Sequence, residues 1–124
     1  MKFQGSRPIY LQIAESVENG ILRGEFGPEE RAPAVRDLAL SLEVNPNTVV
    51  RAFLELEQAG VILKRRGLGS YVSADAPARI LERRRRVFLQ DELPALVGTM
   101  ILLGITPADV SAHYDSHKAS KDRK

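Results

Sequence analysis

The sequence predicts a mostly α-helical protein with one small β-hairpin, and three observations support this fold class. Apolar residues recur at steps of three and four residues in several segments, which is the spacing of one face of an α-helix. Two β-prone runs flank a glycine-containing stretch near the middle of the chain, as in a hairpin. Only a short turn separates the second predicted helix from the third, and this spacing is typical of a helix-turn-helix.

Three helices are predicted in the N-terminal half. The first follows Pro8, and the second spans the apolar stripe over residues 35–42. Asn45 supplies a capping side chain for the third helix, and Pro46 suits its first position. Gly60 tolerates left-handed backbone angles and is predicted to end this helix.

A β-hairpin and a linker are predicted to close the N-terminal domain. Residues 61–64 and 70–72 are β-prone. The flexible, basic tip between them consists of Arg65, Arg66, Gly67, Leu68 and Gly69. A linker over residues 75–78 then separates a domain of residues 1–75 from a segment of residues 76–124.

The C-terminal segment is predicted to be helical. A long helical pattern from Arg79 meets Pro94, which either kinks the helix or starts a new one. Thr106 opens a last short helix, with Asp109 at its third position. The polar tail of residues 116–124 is expected to fray.

The composition argues against a secreted or membrane protein. The chain has no cysteine, which excludes disulfides and thiolate metal clusters and favours a reducing cytoplasm. The longest apolar stretch, residues 95–105, is about half as long as a membrane span. Residues 1–8 have no apolar signal-peptide core. We therefore expect a cytoplasmic protein without a membrane partner.

Net charge alone does not indicate a nucleic-acid partner. The chain carries a net charge of +2, and residues 1–75 hold 9 Lys/Arg against 10 Asp/Glu, whereas residues 76–124 hold 9 against 6. The case for DNA therefore depends on where the basic residues of the N-terminal domain lie.

The third helix carries the first candidate contact surface. Because its apolar residues turn inward, Asn47, Thr48 and Arg51 share the opposite edge of its first turns. An amide, a hydroxyl and a guanidinium at a helix N-terminus suit the base edges and phosphates of a DNA major groove. Taken alone, these residues also fit ordinary solvated capping.

The hairpin tip is the second candidate. Arg65 and Arg66 lie beside Gly67 and Gly69, so guanidinium groups reach outward where a tip without side chains can approach a narrow groove. A hairpin without such a role also uses glycine in its turn. Only the two surfaces together favour DNA binding.

Four blocks of the sequence, in order, resemble GntR-type regulators. They are residues 8–13, residue 28 with residues 31–38, residues 44–49 and residues 65–72. The Asn-Pro-Asn-Thr segment is most similar to the YtrA subfamily. The resemblance covers residues 7–75 closely and the remainder only in length and helical character. It implies a winged helix-turn-helix domain with a dimerisation segment, and repression of transcription from an inverted-repeat operator.

The resemblance also implies roles for single residues. Arg36 would hold phosphate or base, the third helix would enter the major groove, the glycine tip would enter the minor groove, and Tyr10 would lie in the core. The predicted DNA-binding residues are Arg36, Asn45, Asn47, Thr48, Arg51, Arg65, Arg66, Gly67 and Gly69. Three departures bear on operator affinity and sequence preference: Ala34 replaces the usual Ser, Glu29 the usual Gly, and Val50 the Arg of many relatives outside this subfamily.

The apolar C-terminal segment needs a partner, either the N-terminal domain or a second chain. The predicted dimerisation residues are Leu93, Leu96, Val97, Met100 and Ile101. A homodimer is favoured, because helix-turn-helix proteins engage two half-sites about one DNA turn apart. Residues 83–86, all Arg, either flank the dimer helix or contact the DNA backbone. The segment is too short to enclose a metabolite, so no effector pocket is predicted.

Other functions have weaker support. Asp109, His113 and His117 could offer metal ligands on one helical face, but histidines near a chain end are more often surface residues. No metal or cofactor is therefore predicted, and the absence of a cysteine nucleophile and a phosphate-loop motif argues against an enzyme. The alternative to a DNA-binding regulator is a winged-helix protein-interaction module that no longer reads DNA.

Overall fold

The computed structural model describes residues 3–122 and confirms a mostly helical fold with one hairpin. In chain order the elements are α1 (Ile9–Leu22), α2 (Val35–Leu42), α3 (Pro46–Gln58), β1 (Ile62–Arg65), β2 (Gly69–Val72), α4 (Ala76–Val87), a π-helical turn (Phe88–Glu92), α5 (Leu93–Leu103) and α6 (Pro107–Asp122). They form two compact units, one ending at Arg83 and the other beginning at Arg84.

The first unit is a winged helix-turn-helix built around one apolar core. α1 and α2 both pack against α3, and β1 packs against the end of α3. The largest fully buried side chains are Ile13, Leu56, Ile62, Ile80, Val49, Val61 and Val72. Each such burial stabilises the fold by roughly 1.5–3 kcal/mol. This core fixes α3 and the hairpin as parts of one body.

Local caps set the ends of α3 as the sequence predicts. The Asn45 Oδ1 accepts a hydrogen bond from the backbone N–H of Asn47 at 2.8 Å, and Pro46 occupies the first helical turn. At the other end, Gly60 has a φ of +73°, and the Val61 N–H donates to the Leu56 carbonyl at 3.0 Å.

The hairpin is anchored along its outer edge by a short extended segment. β1 and β2 pair in antiparallel register from Ile62 opposite Val72 to Arg65 opposite Gly69. On the other side of β2, the Ala32 N–H donates to the Ser70 carbonyl at 2.8 Å. A β-bridge between Arg31 and Tyr71 completes this contact. The wing is therefore held on both sides of β2.

The predicted linker over residues 75–78 is wrong, because α4 begins at Ala76. Pro77 falls in the first helical turn, where its missing N–H leaves no hydrogen bond unmade. Ala76 and Ile80 are fully buried in the core of the first unit. The Arg83 guanidinium also donates to both carboxylate oxygens of Glu18 in α1. The first two turns of α4 are therefore part of the N-terminal fold.

In the second unit, Pro94 lies in the first turn of α5, directly after the π-helical turn. A proline ring clashes with the carbonyl four residues earlier, and a widened turn removes that clash. α5 ends at Gly104, and α6 then runs to Asp122. Of the tail that is expected to fray, residues 116–122 belong to α6 and the last two lie outside the described part, so fraying stays a prediction.

The apolar content of the helices bears on membrane insertion, and residues 3–122 are the range considered. No single helix in this range is both long and apolar enough to cross a membrane. One pair of helices, separated by a sharp bend, is long and apolar enough for a membrane span only when the two helices are counted together.

Candidate nucleic-acid interface

The polar edge of α3 is formed as the sequence predicts. Asn47 and Arg51 are exposed and Thr48 is half-buried, whereas the inward side of α3 is buried and consists of Val49, Ala52, Phe53 and Leu56. An amide, a hydroxyl and a guanidinium therefore share one edge of the first turns. The Oδ1 of Asn45 serves as the helix cap, so its predicted DNA contact stays a prediction.

A tyrosine of α1 supports the arginine of this edge. The Arg51 guanidinium carbon lies 4.1 Å from the centroid of the Tyr10 ring, which is a cation–π distance. Tyr10 is half-buried and packs against the core, so it lies at the core margin with one ring face under Arg51. The family resemblance implies a core position for Tyr10, but nothing in the sequence indicates this stacking.

The wing has a second arginine stacked on tyrosine. The Arg65 guanidinium carbon lies 4.4 Å from the centroid of the Tyr71 ring on the paired strand. Arg66, Gly67 and Leu68 form the exposed tip, closed by a 2.9 Å hydrogen bond from the Leu68 N–H to the Arg65 carbonyl. The predicted tip residues are thus brought together at the end of the hairpin.

Arg31 belongs to the wing, although it is absent from the predicted site. A Cβ added at Gly69 would lie 3.1 Å from the Arg31 Nη2, and Gly69 has a φ of +91°. Both the lack of room for a Cβ beside Arg31 and the positive φ therefore favour glycine at this position. The pairing of residues 29–32 with β2 brings Arg31 to this position. No local sequence signal reports that pairing.

Arg36 lies in the first turn of α2 and is exposed. Ala34 is the N-cap of this helix, and no side chain caps it. Glu29, the second departure noted in the sequence, has a left-handed φ of 67°, which is the conformation that glycine adopts at lower cost.

The basic residues of the first unit divide into two groups. Within the described residues, six of them form no salt bridge, and these are Arg31, Arg36, Arg51, Lys64, Arg65 and Arg66. The other four pair with Glu15, Glu25, Asp75 and Glu18, and these are Arg7, Arg23, Arg79 and Arg83. The six unpaired cations lie on the wing, at the start of α2 and on α3. Positive charge is thus available where the sequence predicts DNA contacts.

The arginine run at residues 83–86 does not act as one feature. Arg83 is half-buried and pairs with the buried carboxylate of Glu18, so its role in this structure is to attach α4 to α1. Arg83 therefore has a structural role, and neither flanks a dimer helix in solvent nor is free to contact the DNA backbone. Arg85 and Arg86 are exposed.

The predicted dimerisation residues all lie on α5. Leu96, Val97 and Ile101 are exposed and Leu93 and Met100 are half-buried, while no residue of α5 is buried. The most exposed large apolar residue of the chain's described part is Leu102, at 84%. The predicted set does not include it, although it belongs to the same apolar run.

Asp109 caps a helix. Its carboxylate accepts hydrogen bonds from the Thr106 N–H at 2.9 Å and the Thr106 hydroxyl at 3.0 Å. The backbone N–H of Thr106, foremost among the causes, lowers the pKa of Asp109 from its ordinary value. Among residues 3–122 no three His, Cys, Asp or Glu side chains are grouped so that they could hold a metal ion.

Comparison with known sequences yields one family and relatives that match most of the chain. The model of the family described as bacterial regulatory proteins, gntR family, matches residues 9–72. The chain is 35% identical to the HTH-type transcriptional regulator YhcF of Bacillus subtilis, over 88% of each protein. It is 36% identical to the HTH-type transcriptional repressor YtrA of the same species, over 76% of this chain and 72% of YtrA.

Solved structures agree with the sequence matches. A transcriptional regulator of the GntR family from Bacteroides thetaiotaomicron has a TM-score of 0.78 and 33% identity, covering 91% of this chain and 98% of its own. The DNA-binding domain of AraR, solved in complex with operator ORX1, has a TM-score of 0.54 and 26% identity over 58% of this chain and 93% of its own.

Proposed function

Because the chain belongs to the gntR family of bacterial regulatory proteins and is a DNA-binding transcriptional regulator, we propose that it is a cytoplasmic repressor that binds an inverted-repeat operator as a homodimer. It is not an enzyme. The observation that carries the proposal is a set of six cations on α2, α3 and the wing that form no salt bridge within residues 3–122. The similarity to the repressor YtrA supports repression.

In this proposal α3 reads the major groove. Arg51 donates in bidentate fashion to a guanine edge, while Asn47 and Thr48 contact neighbouring bases or phosphates. Asn45 contributes its free amide N–H groups beside the cap. Arg36, at the start of α2, contacts the DNA backbone on the other side of the groove.

The wing contacts the adjacent minor groove. Gly67 and Gly69 let the backbone approach the groove closely, and Arg65 and Arg66 place positive charge where the groove potential is most negative. Arg31, next to Gly69, adds to this positive charge.

Dimerisation occurs through apolar residues of α5 that are exposed or half-buried. These are Leu93, Leu96, Val97, Met100 and Ile101, to which we add Leu102. A two-fold symmetric pair presents two copies of α3 to the two halves of an inverted repeat. Occupation of such an operator blocks the promoter that contains it. No effector pocket is part of the proposal, and a protein-interaction module is not favoured, since the matched relatives regulate transcription.

The first test compares Arg51→Ala with Arg23→Ala on an operator selected from a random DNA pool. Both changes remove one exposed positive charge, but Arg23 pairs with Glu25 and lies at the end of α1. Loss of a base contact costs about 1–3 kcal/mol, so Arg51→Ala should weaken binding about ten- to a hundred-fold. The loss should concentrate on one base pair in each half-site, and Arg23→Ala should change affinity less than two-fold, about 0.4 kcal/mol.

Salt dependence completes this test. Each phosphate contact releases counterions, so the logarithm of the binding constant should fall steeply with the logarithm of the salt concentration. A flat salt dependence, or equal losses for the two arginine variants, would contradict DNA recognition through α3.

A further inference from the structure

We propose that Tyr10 is a positioning residue for DNA recognition, which holds the Arg51 guanidinium in its binding orientation before DNA is present. This inference rests on the proposed function, because Tyr10 supports Arg51, which the proposal places in the major groove. It adds a second element, α1, to a reading surface otherwise attributed to α3.

The contact joins two elements that are far apart in the sequence but packed together in the fold. Tyr10 lies in the first turn of α1, and Arg51 lies in the second turn of α3. The guanidinium carbon is 4.1 Å from the ring centroid. Tyr10 packs against the core, so the ring offers a fixed surface to an exposed, long side chain.

Stacking leaves the groups needed for recognition free. A guanidinium stacks through its planar face, whereas its N–H donors point outward in the plane of the group. Those in-plane donors make the bidentate contacts to guanine or phosphate. Tyr10 can therefore fix the direction of the Arg51 fork without competing with DNA for its hydrogen bonds.

Within the described residues no carboxylate competes with the ring for Arg51. Arg51 forms no salt bridge there. Arg7 is also exposed, but it pairs with Glu15. A carboxylate partner would occupy the in-plane donors and would have to be displaced by DNA. The aromatic partner restricts the side chain and leaves its charge available.

The restriction has a thermodynamic consequence. Arginine loses rotamer freedom when it binds, and this loss opposes association. A side chain that is already stacked has less freedom to lose, so the complex gains affinity from pre-orientation. The affinity contributed by Tyr10 should therefore depend on the presence of Arg51.

A double-mutant cycle on a selected operator tests this dependence. Tyr10→Leu removes the ring but keeps an apolar side chain against the core, and Tyr10→Phe is the matched control that keeps the ring. We expect Tyr10→Leu to weaken binding about three- to ten-fold and Tyr10→Phe to stay within two-fold of the wild type. In an Arg51→Ala background, Tyr10→Leu should cause no further loss.

The outcomes separate the inference from the proposed function. If Arg51→Ala binds the operator as tightly as the wild type, the proposed contact of Arg51 itself is overturned. If Arg51→Ala weakens binding but Tyr10→Leu causes the same loss with and without Arg51, the DNA contact stands and the positioning role is overturned. Base preference adds a further readout, because Tyr10→Leu should relax selectivity at the base pair affected by Arg51→Ala.

Nuclear magnetic resonance of the protein without DNA keeps the inference testable even if Tyr10→Leu unfolds. The Nε–H proton of Arg51 should be shifted upfield by the ring current in the wild type and in Tyr10→Phe. A resonance at the position of an unstacked arginine in both proteins would overturn the proposed pre-orientation.

Discussion

Ala34 begins α2 without a side chain that could cap the helix. The residue has the extended backbone conformation of an N-cap, with a ψ of 139°, and the first turn contains Asp37 three positions later. A serine hydroxyl at this position would accept a hydrogen bond from a free backbone N–H of the first turn. The side chain of Asp37 would then reach back to the N-cap, as in a capping box.

We therefore predict that Ala34→Ser raises the free energy of unfolding by about 1 kcal/mol. Urea denaturation followed by circular dichroism measures the change. Ala78→Ser is the control, because Ala78 is exposed and lies inside α4, where serine gains no cap. An equal effect of the two substitutions would contradict the capping argument.

Glu43 ends α2 in a left-handed conformation with a φ of 57°. The Val44 N–H donates to the Ala39 carbonyl at 3.0 Å, so this residue closes the helix within the helix-turn-helix. Glycine adopts such angles without steric cost. Glu43→Gly should raise the free energy of unfolding by about 1 kcal/mol.

The same substitution inside a helix gives the opposite sign. Glu55 is exposed in α3, and Glu55→Gly should lower the free energy of unfolding by about 1 kcal/mol. Thermal or urea unfolding of both variants tests the pair. A loss of stability for Glu43→Gly would show that the Glu43 side chain matters more than its backbone angle.

At the scale of elements, helix ends could be predicted from the sequence because caps are local. Asn45 with Pro46, Gly60, and Thr106 with Asp109 each act within a few residues, and each marks a boundary found in the structure. The start of α4 could not be predicted in the same way. In the sequence, Pro77 looks like part of a linker. Only the burial of Ala76 in the core shows that the helix has already begun and that Pro77 lies in its first turn.

Contacts between elements are the other part that the sequence does not reveal. Arg51 is predicted at the reading edge from helical spacing alone, but its partner Tyr10 lies on another helix. Arg31 reaches the wing only because residues 29–32 pair with β2. Such pairings depend on how the elements pack, and periodicity within one element holds no information about them.

The attachment of α4 to α1 depends on the buried Glu18. Its side chain is 5% exposed and accepts hydrogen bonds from Arg83, which is 33% exposed. Removal of one member of a buried ion pair is strongly destabilising, by about 3–5 kcal/mol. Arg83→Gln should therefore lower the free energy of unfolding by about 3 kcal/mol, at the low end because Arg83 is partly solvated.

Arg7→Gln is the matched control for this prediction. Arg7 lies before α1 and pairs with Glu15 of that helix, but both side chains are about half exposed. Exposed pairs contribute about 0–1 kcal/mol. Urea denaturation should rank the two variants accordingly, and similar losses would mean that the Glu18–Arg83 pair does not anchor α4.

The start of α6 should respond to acid through Asp109. Its pKa is lowered, first by the backbone N–H of Thr106 and then by the Thr106 hydroxyl. A carboxyl whose pKa is lowered by folding stabilises the folded form above its unfolded pKa, and this contribution is lost as the pH falls through the lower folded value. The Thr106 amide resonance should therefore titrate with a midpoint below the usual 3.8 of aspartate.

Asp109→Asn provides the comparison for this titration. The variant should lose the acid transition of the Thr106 amide, because its amide side chain carries no titrating charge. A transition in the wild type at or above the usual aspartate value would contradict the capping role. So would an unchanged transition in the variant.

At the scale of the whole molecule, the apolar surface of α5 links the proposed dimer to DNA binding. Ile101 is 76% exposed, and no residue of α5 is buried. An apolar helix face of this kind is costly in water and is stabilised by a partner. Since Ile101 is mostly exposed, replacing it should leave the fold of each chain intact.

Ile101→Lys should convert the proposed dimer into a single chain, because the symmetry places the new charge in the interface twice. Light scattering coupled to size-exclusion chromatography measures the mass, with Leu40→Lys as the control, since Leu40 is 74% exposed on α2. Linkage of two binding sites in a dimer raises affinity for a full inverted repeat about a hundred-fold or more. Ile101→Lys should lose this gain and bind a full inverted repeat no more tightly than one half-site. A dimer that persists in Ile101→Lys would place the interface elsewhere, whereas a single-chain wild type that still prefers the full operator would mean that the two copies pair only on DNA.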